Sequence, residues 1–177
     1  MTAIPLYRRI LSIAIALALA TCLLRAQISS ALVVRGDDFS VRGDATRAAR
    51  YYSRALWFDE RDGVAIDRLA FAAVMTHRPV RMLAALTLVS KYLKAVPNDR
   101  AVLMDRAMTE DSLGAYGAAE RDYARLGALA SDARAYTFAG FGALHSGSLA
   151  RARIWWKRAV ALDPHFLPPQ RALERIH

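Results

Sequence analysis

The side chains that could carry chemistry are few, and they are spread thinly along 177 residues. Histidines stand at 77, 145, 165 and 177, and no two share the helical spacing that brings paired imidazoles onto one face to hold zinc. Cys22 is the single cysteine, so neither an internal disulfide nor a cysteine-built metal centre is available. Two carboxylate pairs, Asp37-Asp38 and Glu110-Asp111, are adjacent in sequence. Neighbours on a helix point in different directions, so neither pair suits acid–base work. Gly140, Gly142 and Gly147 do not make a phosphate-cradling loop. Arg35-Gly36-Asp37 and Arg42-Gly43-Asp44 repeat a tripeptide, but both glycines fall at structural positions described below. The expectation is a non-enzymatic protein with no cofactor, no metal and no small-molecule substrate.

The elements that must position these residues show a repeating word. In its clearest copy, counting Ala133 as position 1, Tyr136, Gly140, Gly147, Leu149, Ala152, Trp156, Ala159 and Pro164 stand at positions 4, 8, 15, 17, 20, 24, 27 and 32. From Ser29 the matches are Leu32, Gly36, Phe39, Gly43, Ala48, Tyr52 and Ala55. From Arg100 they are Leu103, Ala107, Gly114, Tyr116, Ala119 and Tyr123, with Leu126 at 27 in place of a small residue. From Ile66 they are Leu69, Ala73, Ala85 and Pro97. This copy is the weakest, with Val80 at position 15 and Tyr92 at 27. Small residues at 8, 20 and 27 let two helices approach, large ones between them fill the gaps, and glycine at 15 suits the left-handed turn between helices.

This spacing resembles the tetratricopeptide repeat, a helix–turn–helix unit of 34 residues. The resemblance implies an all-α, right-handed α-solenoid of about four helix pairs, over 29–62, 66–99, 100–132 and 133–166. Pro168 and Pro169 suit the start of a last helix over 170–176, whose Arg171, Glu174 and Arg175 give the polar outer face a terminal cap needs. Asn98 and Asp99, Ser131 before Asp132, and Ser148 are candidate helix caps, and Pro79 begins a helix.

The resemblance also implies that the first helix of each pair lines a concave groove, with positions 2, 5, 9 and 12 turned into it. Carried onto this chain, the partner-binding residues are Val33 and Asp37, then Asp67, Ala70, Val74 and His77, then Ala101, Met104, Met108 and Asp111, then Arg134, Thr137, Phe141 and Leu144. The lysine and asparagine that clamp a terminal carboxylate in chaperone-binding members are missing at positions 5 and 9. An apolar, methionine-bearing centre suits an amphipathic helix or an extended apolar peptide instead. The same residues as self-filled core is the competing reading. Phe141 and Arg134 do not make a nucleic-acid groove beside Asp37, Asp67 and Asp111, so no nucleic acid is expected.

The first 25 residues form a separate segment. Residues 10–24 carry no charge, with Arg8 and Arg9 before them and Arg25 after. As a helix they span about 22 Å, short of the roughly 30 Å hydrocarbon core of a bilayer. Leu6, Tyr7 and snorkelling arginines at both ends can make up the difference. Four readings stay open: a retained signal anchor, a signal peptide cut after Ala18-Leu19-Ala20, a lipid attached at Cys22 after a Leu19-Ala20-Thr21 lipobox, and a buried core helix. The net charge of +9 is dispersed over every helix and mixed with acids, as on a solvated surface. Arginines number 22 against three lysines, the bias of a GC-rich, bacterial coding sequence. Together these readings predict a protein–protein scaffold tethered by its N-terminus to the cytoplasmic membrane, with the repeats on the periplasmic side. The alternatives are a cleaved periplasmic form, and a holdase-type chaperone for unfolded apolar segments. Assembly of an envelope, secretion or pilus complex is the kind of task the resemblance implies.

Overall fold

The computed structural model describes residues 6–176. The side chains of Leu6, Arg8 and Arg9 lie outside the described set, and with them the first arginine flank of the apolar segment. The described residues are helical, with no strand: α1 (Leu6–Val41), α2 (Ala45–Phe58), α3 (Gly63–Met75), α4 (Pro79–Ala95), α5 (Arg100–Ser112), α6 (Tyr116–Ala130), α7 (Ala133–His145), α8 (Leu149–Leu162) and α9 (Leu167–Glu174). Each helix packs on the next, and α3 also packs on α1 and α5, as in a solenoid of stacked helix pairs.

Local signals set the helix ends. Asp44, Asp62, Asp99, Asp132 and Ser148 cap the helices that follow them, each side chain accepting a backbone N–H of the first turn. Ser131 does not cap α7. It ends α6 in the left-handed conformation, at φ 49°, and leaves the capping to Asp132. Gly43, Gly114 and Gly147 take φ of 76°, 78° and 84° in the turns within three of the pairs. In the second pair Val80 lies inside α4, and His77 takes the left-handed turn at φ 51°. Pro168 and Pro169 sit in the first turn of α9, which begins three residues earlier than the sequence suggests.

Small-to-large contacts hold each pair together. Ala48, Ala55, Ala107, Ala119, Ala152 and Ala159 are wholly buried. A methyl group at Gly36 would sit 2.4 Å from the Tyr52 ring, and one at Gly140 would sit 2.2 Å from the Trp156 indole. These approaches are what glycine at position 8 makes possible. The core forms three clusters in chain order. One runs from Val33 to Leu103, one joins Ala107, Ala119, Tyr123 and Ala139, and one joins Ala143, Ala152 and Trp156 to Ala172 of α9.

The helix α1 carries both the apolar N-terminal segment and the first helix of the first pair without a break. It is the one described helix long and apolar enough to cross a membrane, and its apolar part is exposed throughout. Cys22 lies exposed within it.

Candidate functional site

The expected groove stripe runs along α1, α3, α5 and α7, and packing between these helices takes up part of it. Val33, Ala70 and Thr137 are buried, and the Thr137 hydroxyl donates to the Ala133 carbonyl at 2.7 Å within its own helix. The stripe is narrowed because α3 packs directly on α5, with the small Ala70 and Ala73 among the buried residues of α3. Val74, Met104 and Met108 are half-buried, and the two methionines pack against the cluster around Ala107 and Tyr123. Phe141 and Leu144 are more exposed, at 36% each, and Phe141 meets Trp156 edge-on at 5.3 Å between centroids. Arg134 and Ala101 stand at the open N-terminal ends of α7 and α5, and Arg134 lies 3.5 Å from Asp132. His77 sits in the α3–α4 turn, not on a helical face.

The acids of the stripe are drawn into the protein. Asp37 accepts the Tyr52 hydroxyl at 2.7 Å and lies 3.5 Å from Arg68. Asp67 on α3 faces Asp105 on α5, which is buried with an Oδ2 that receives no hydrogen bond from another described group. Burial first, then the hydrogen bond and charge of Asp67, push the Asp105 carboxyl up to about 9, so the pair holds a proton at neutral pH. Asp111 is also raised, by burial, against a lowering from His145. Glu110 is raised to about 7 by burial and then by Asp122. Asp122 itself receives Arg106 in a two-pronged pair, at 2.5 and 2.8 Å, nearly shut off from water. These acids serve helix packing, and no described group of histidine, cysteine and carboxylate side chains is arranged to hold a metal.

Several exposed apolar residues escaped the sequence reading. Phe71 and Met75 on α3 and Phe138 on α7 are roughly half exposed. On a helical projection Phe71 and Met75 lie about a quarter-turn from Asp67, Ala70 and Val74. The open side of α3 is thus rotated away from the stripe carried over by resemblance. The signal was present as a Phe71/Met75 spacing of four, but the neighbour that would cover each face was not legible. An apolar hollow of about 430 Å³ opens between α2 and α4 around Trp57, Leu56, Leu88, Tyr92 and Val96. Tyr92 stands there in place of a small residue, and its hydroxyl reaches Asp99 at 2.9 Å.

No family model matches the sequence, and no curated protein matches it. Solved structures do match the fold. MamA residues 41-end from Desulfovibrio magneticus RS-1 is 21% identical, with a TM-score of 0.68 over 80% of this chain and 78% of that one. A tetratricopeptide repeat protein from Parabacteroides merdae is 17% identical, with a TM-score of 0.65 over 81% of this chain and 56% of that one. PilF of Pseudomonas aeruginosa is 18% identical, with a TM-score of 0.64 over 82% and 65%. The architecture is therefore that of a tetratricopeptide-repeat solenoid. At these identities the likeness is one of fold.

Proposed function

We propose that the chain is a non-enzymatic scaffold that holds a protein partner beside a membrane. One observation carries the reading: a single unbroken helix, α1, is an exposed apolar rod for its first half and a packed member of the repeat array for its second. A free apolar rod of this length is costly in water and favourable in a bilayer. The array it carries has the fold of proteins that act by binding, a warrant that rests on analogy.

The partner surface we favour is the α5–α7 part of the groove. Met104 and Met108 give an adaptable apolar floor, and Phe141 and Leu144 stand open beside it. The partner is an amphipathic helix or an apolar peptide. With α1 read as a retained anchor and its N-terminus on the cytoplasmic side, the array faces the periplasm, and assembly of an envelope, secretion or pilus complex is the task we assign it.

Affinity capture of the full-length chain from its native membranes tests the reading, with a Phe141→Glu/Leu144→Glu variant run beside it and its folding checked by thermal melting. One or two proteins held by the wild type and lost from a folded variant are expected. Equal capture by both would move the binding surface elsewhere. A broad set of unfolded clients lost with the variant would replace the scaffold by a holdase.

A further inference from the structure

We infer that the repeat array lies directly on the bilayer, with Trp57 at the C-terminal end of α2 seated among the phospholipid headgroups. This rests on the reading of α1 as a retained membrane anchor, and adds to it a second, peripheral contact made by the array itself.

The first ground is the absence of a linker. α1 runs as one helix from the apolar segment into the array, and Ser29, four residues beyond Arg25, is already buried. Five helical residues advance about 7.5 Å, so the array begins about a headgroup's thickness beyond Leu24, the end of the charge-free segment. Ser29 is fastened there, its hydroxyl donating to an Asp62 oxygen at 2.7 Å with the Ala55 carbonyl beside it at 3.2 Å.

The second ground is the level of Trp57. α2 runs back antiparallel to α1, and its C-terminal end returns to the height of Arg25. The Arg25 Nε donates to the Phe58 carbonyl at 2.8 Å, and its guanidinium reaches the Trp57 carbonyl at 3.5 Å. The residue that ends the charge-free segment is therefore tied to the backbone beside Trp57. The charge-free segment is also short, about 22 Å against a core of roughly 30 Å. A span too short for its bilayer draws its flanking residues inward or thins the bilayer around them. Either response brings Arg25, and Trp57 with it, down to the interface.

The third ground is chemical. Trp57 is 79% exposed, an unusual state for the largest side chain, and tryptophan is the residue most at home at a membrane interface. The acids around it are already engaged. Glu60 holds Lys91 at 2.7 Å, Asp62 caps α3, and Asp59 accepts the Arg61 N–H at 3.0 Å. Arg61 stands exposed on the same end, and Arg54, about a turn back over the Tyr51 ring, is exposed as well, so both face solvent where phosphate groups would lie.

The test uses the full-length chain in phospholipid liposomes. Flotation through a carbonate-treated gradient reports the anchor. The fluorescence of Trp57 is isolated as the difference between wild type and Trp57→Phe, an exposed substitution whose fold is checked by circular dichroism. Lipids brominated near the carbonyl end of the acyl chain are the quenching probe. Flotation together with a roughly two-fold quenching of the difference emission is expected, because interfacial tryptophans sit at that depth. Flotation without quenching overturns the docked array while leaving the anchor intact, and makes Trp57 and the α2–α4 hollow a surface for a protein. Failure to float removes the anchor and this inference together.

Discussion

Asp105 shows how one residue can be costly and still be held. Its carboxyl is buried between α3 and α5, against Asp67, with Arg68 as a compensating charge. Its folded-state pKa lies above that of the unfolded chain, so the native state keeps a proton that the unfolded state releases. The associated stability is present below the ordinary carboxylate range and is lost as pH rises towards about 9. Asp105→Asn keeps the shape and removes the titration. Urea melts at pH 5 and pH 9 should show wild-type stability falling more steeply than that of the variant. The difference should be about 2 kcal/mol, less than the full shift, since Asp67 and Arg68 readjust. Equal slopes would mean that the pair is solvated. Arg106 and Asp122 are the opposite case, a partly buried pair in which each charge meets its opposite.

At the scale of the element, the second helix pair is where the repeat rule is broken and the backbone adapts. Position 15 holds Val80, which α4 absorbs into its first turn after Pro79. The left-handed residue needed to reverse the chain is then His77, whose Cβ makes that conformation unfavourable. His77→Gly should raise stability by about 1 kcal/mol in thermal or chemical melts, despite the freedom glycine gains on unfolding. An unchanged or lowered midpoint would show that the imidazole makes a contact worth as much as the strain. In the same pair, Tyr92 stands where a small residue belongs and borders the hollow between α2 and α4. The departures from the repeat that the sequence shows in this unit thus reappear as a turn residue and as a hollow.

For the whole molecule, stability is built from neighbours, in the near one-dimensional manner of solenoids. The core divides into three clusters along the chain, and α9 closes the last of them by laying Ala172, Leu173 and Ile176 against the Trp155–Trp156 region. Arg171, Glu174 and Arg175 face water on its outer side. Removing residues 167–177 should expose Trp155 and Trp156, shift tryptophan emission to the red, and cost about 2–3 kcal/mol, the burial of one or two large side chains. The α1–α2 end should keep its protection from hydrogen exchange. Loss of protection along the full chain would show one cooperative unit instead of three linked clusters.

The helix pairs, the caps at Asp99 and Ser148, the terminal α9 and the absence of strands among the described residues were legible in the sequence, because each rests on contacts within about one repeat. A glycine at position 8 and an aromatic at 24 meet inside one pair, and an aspartate caps the helix that follows it. The solvent-facing side of each first helix was not legible in this way. Ala70, Val33 and Thr137 are covered by packing, while Phe71, Met75 and Phe138 are left open, and that depends on how closely adjacent pairs approach. The fusion of the apolar segment to the first pair was equally hidden. Residues 25–29 carry no glycine or proline to break a helix, yet only the packing of Ser29 and the bonds of Arg25 to the end of α2 set the array at the foot of the apolar rod. Local sequence determines which helices form and pair. The free energy of stacking one pair on another decides which faces remain for a partner or a membrane.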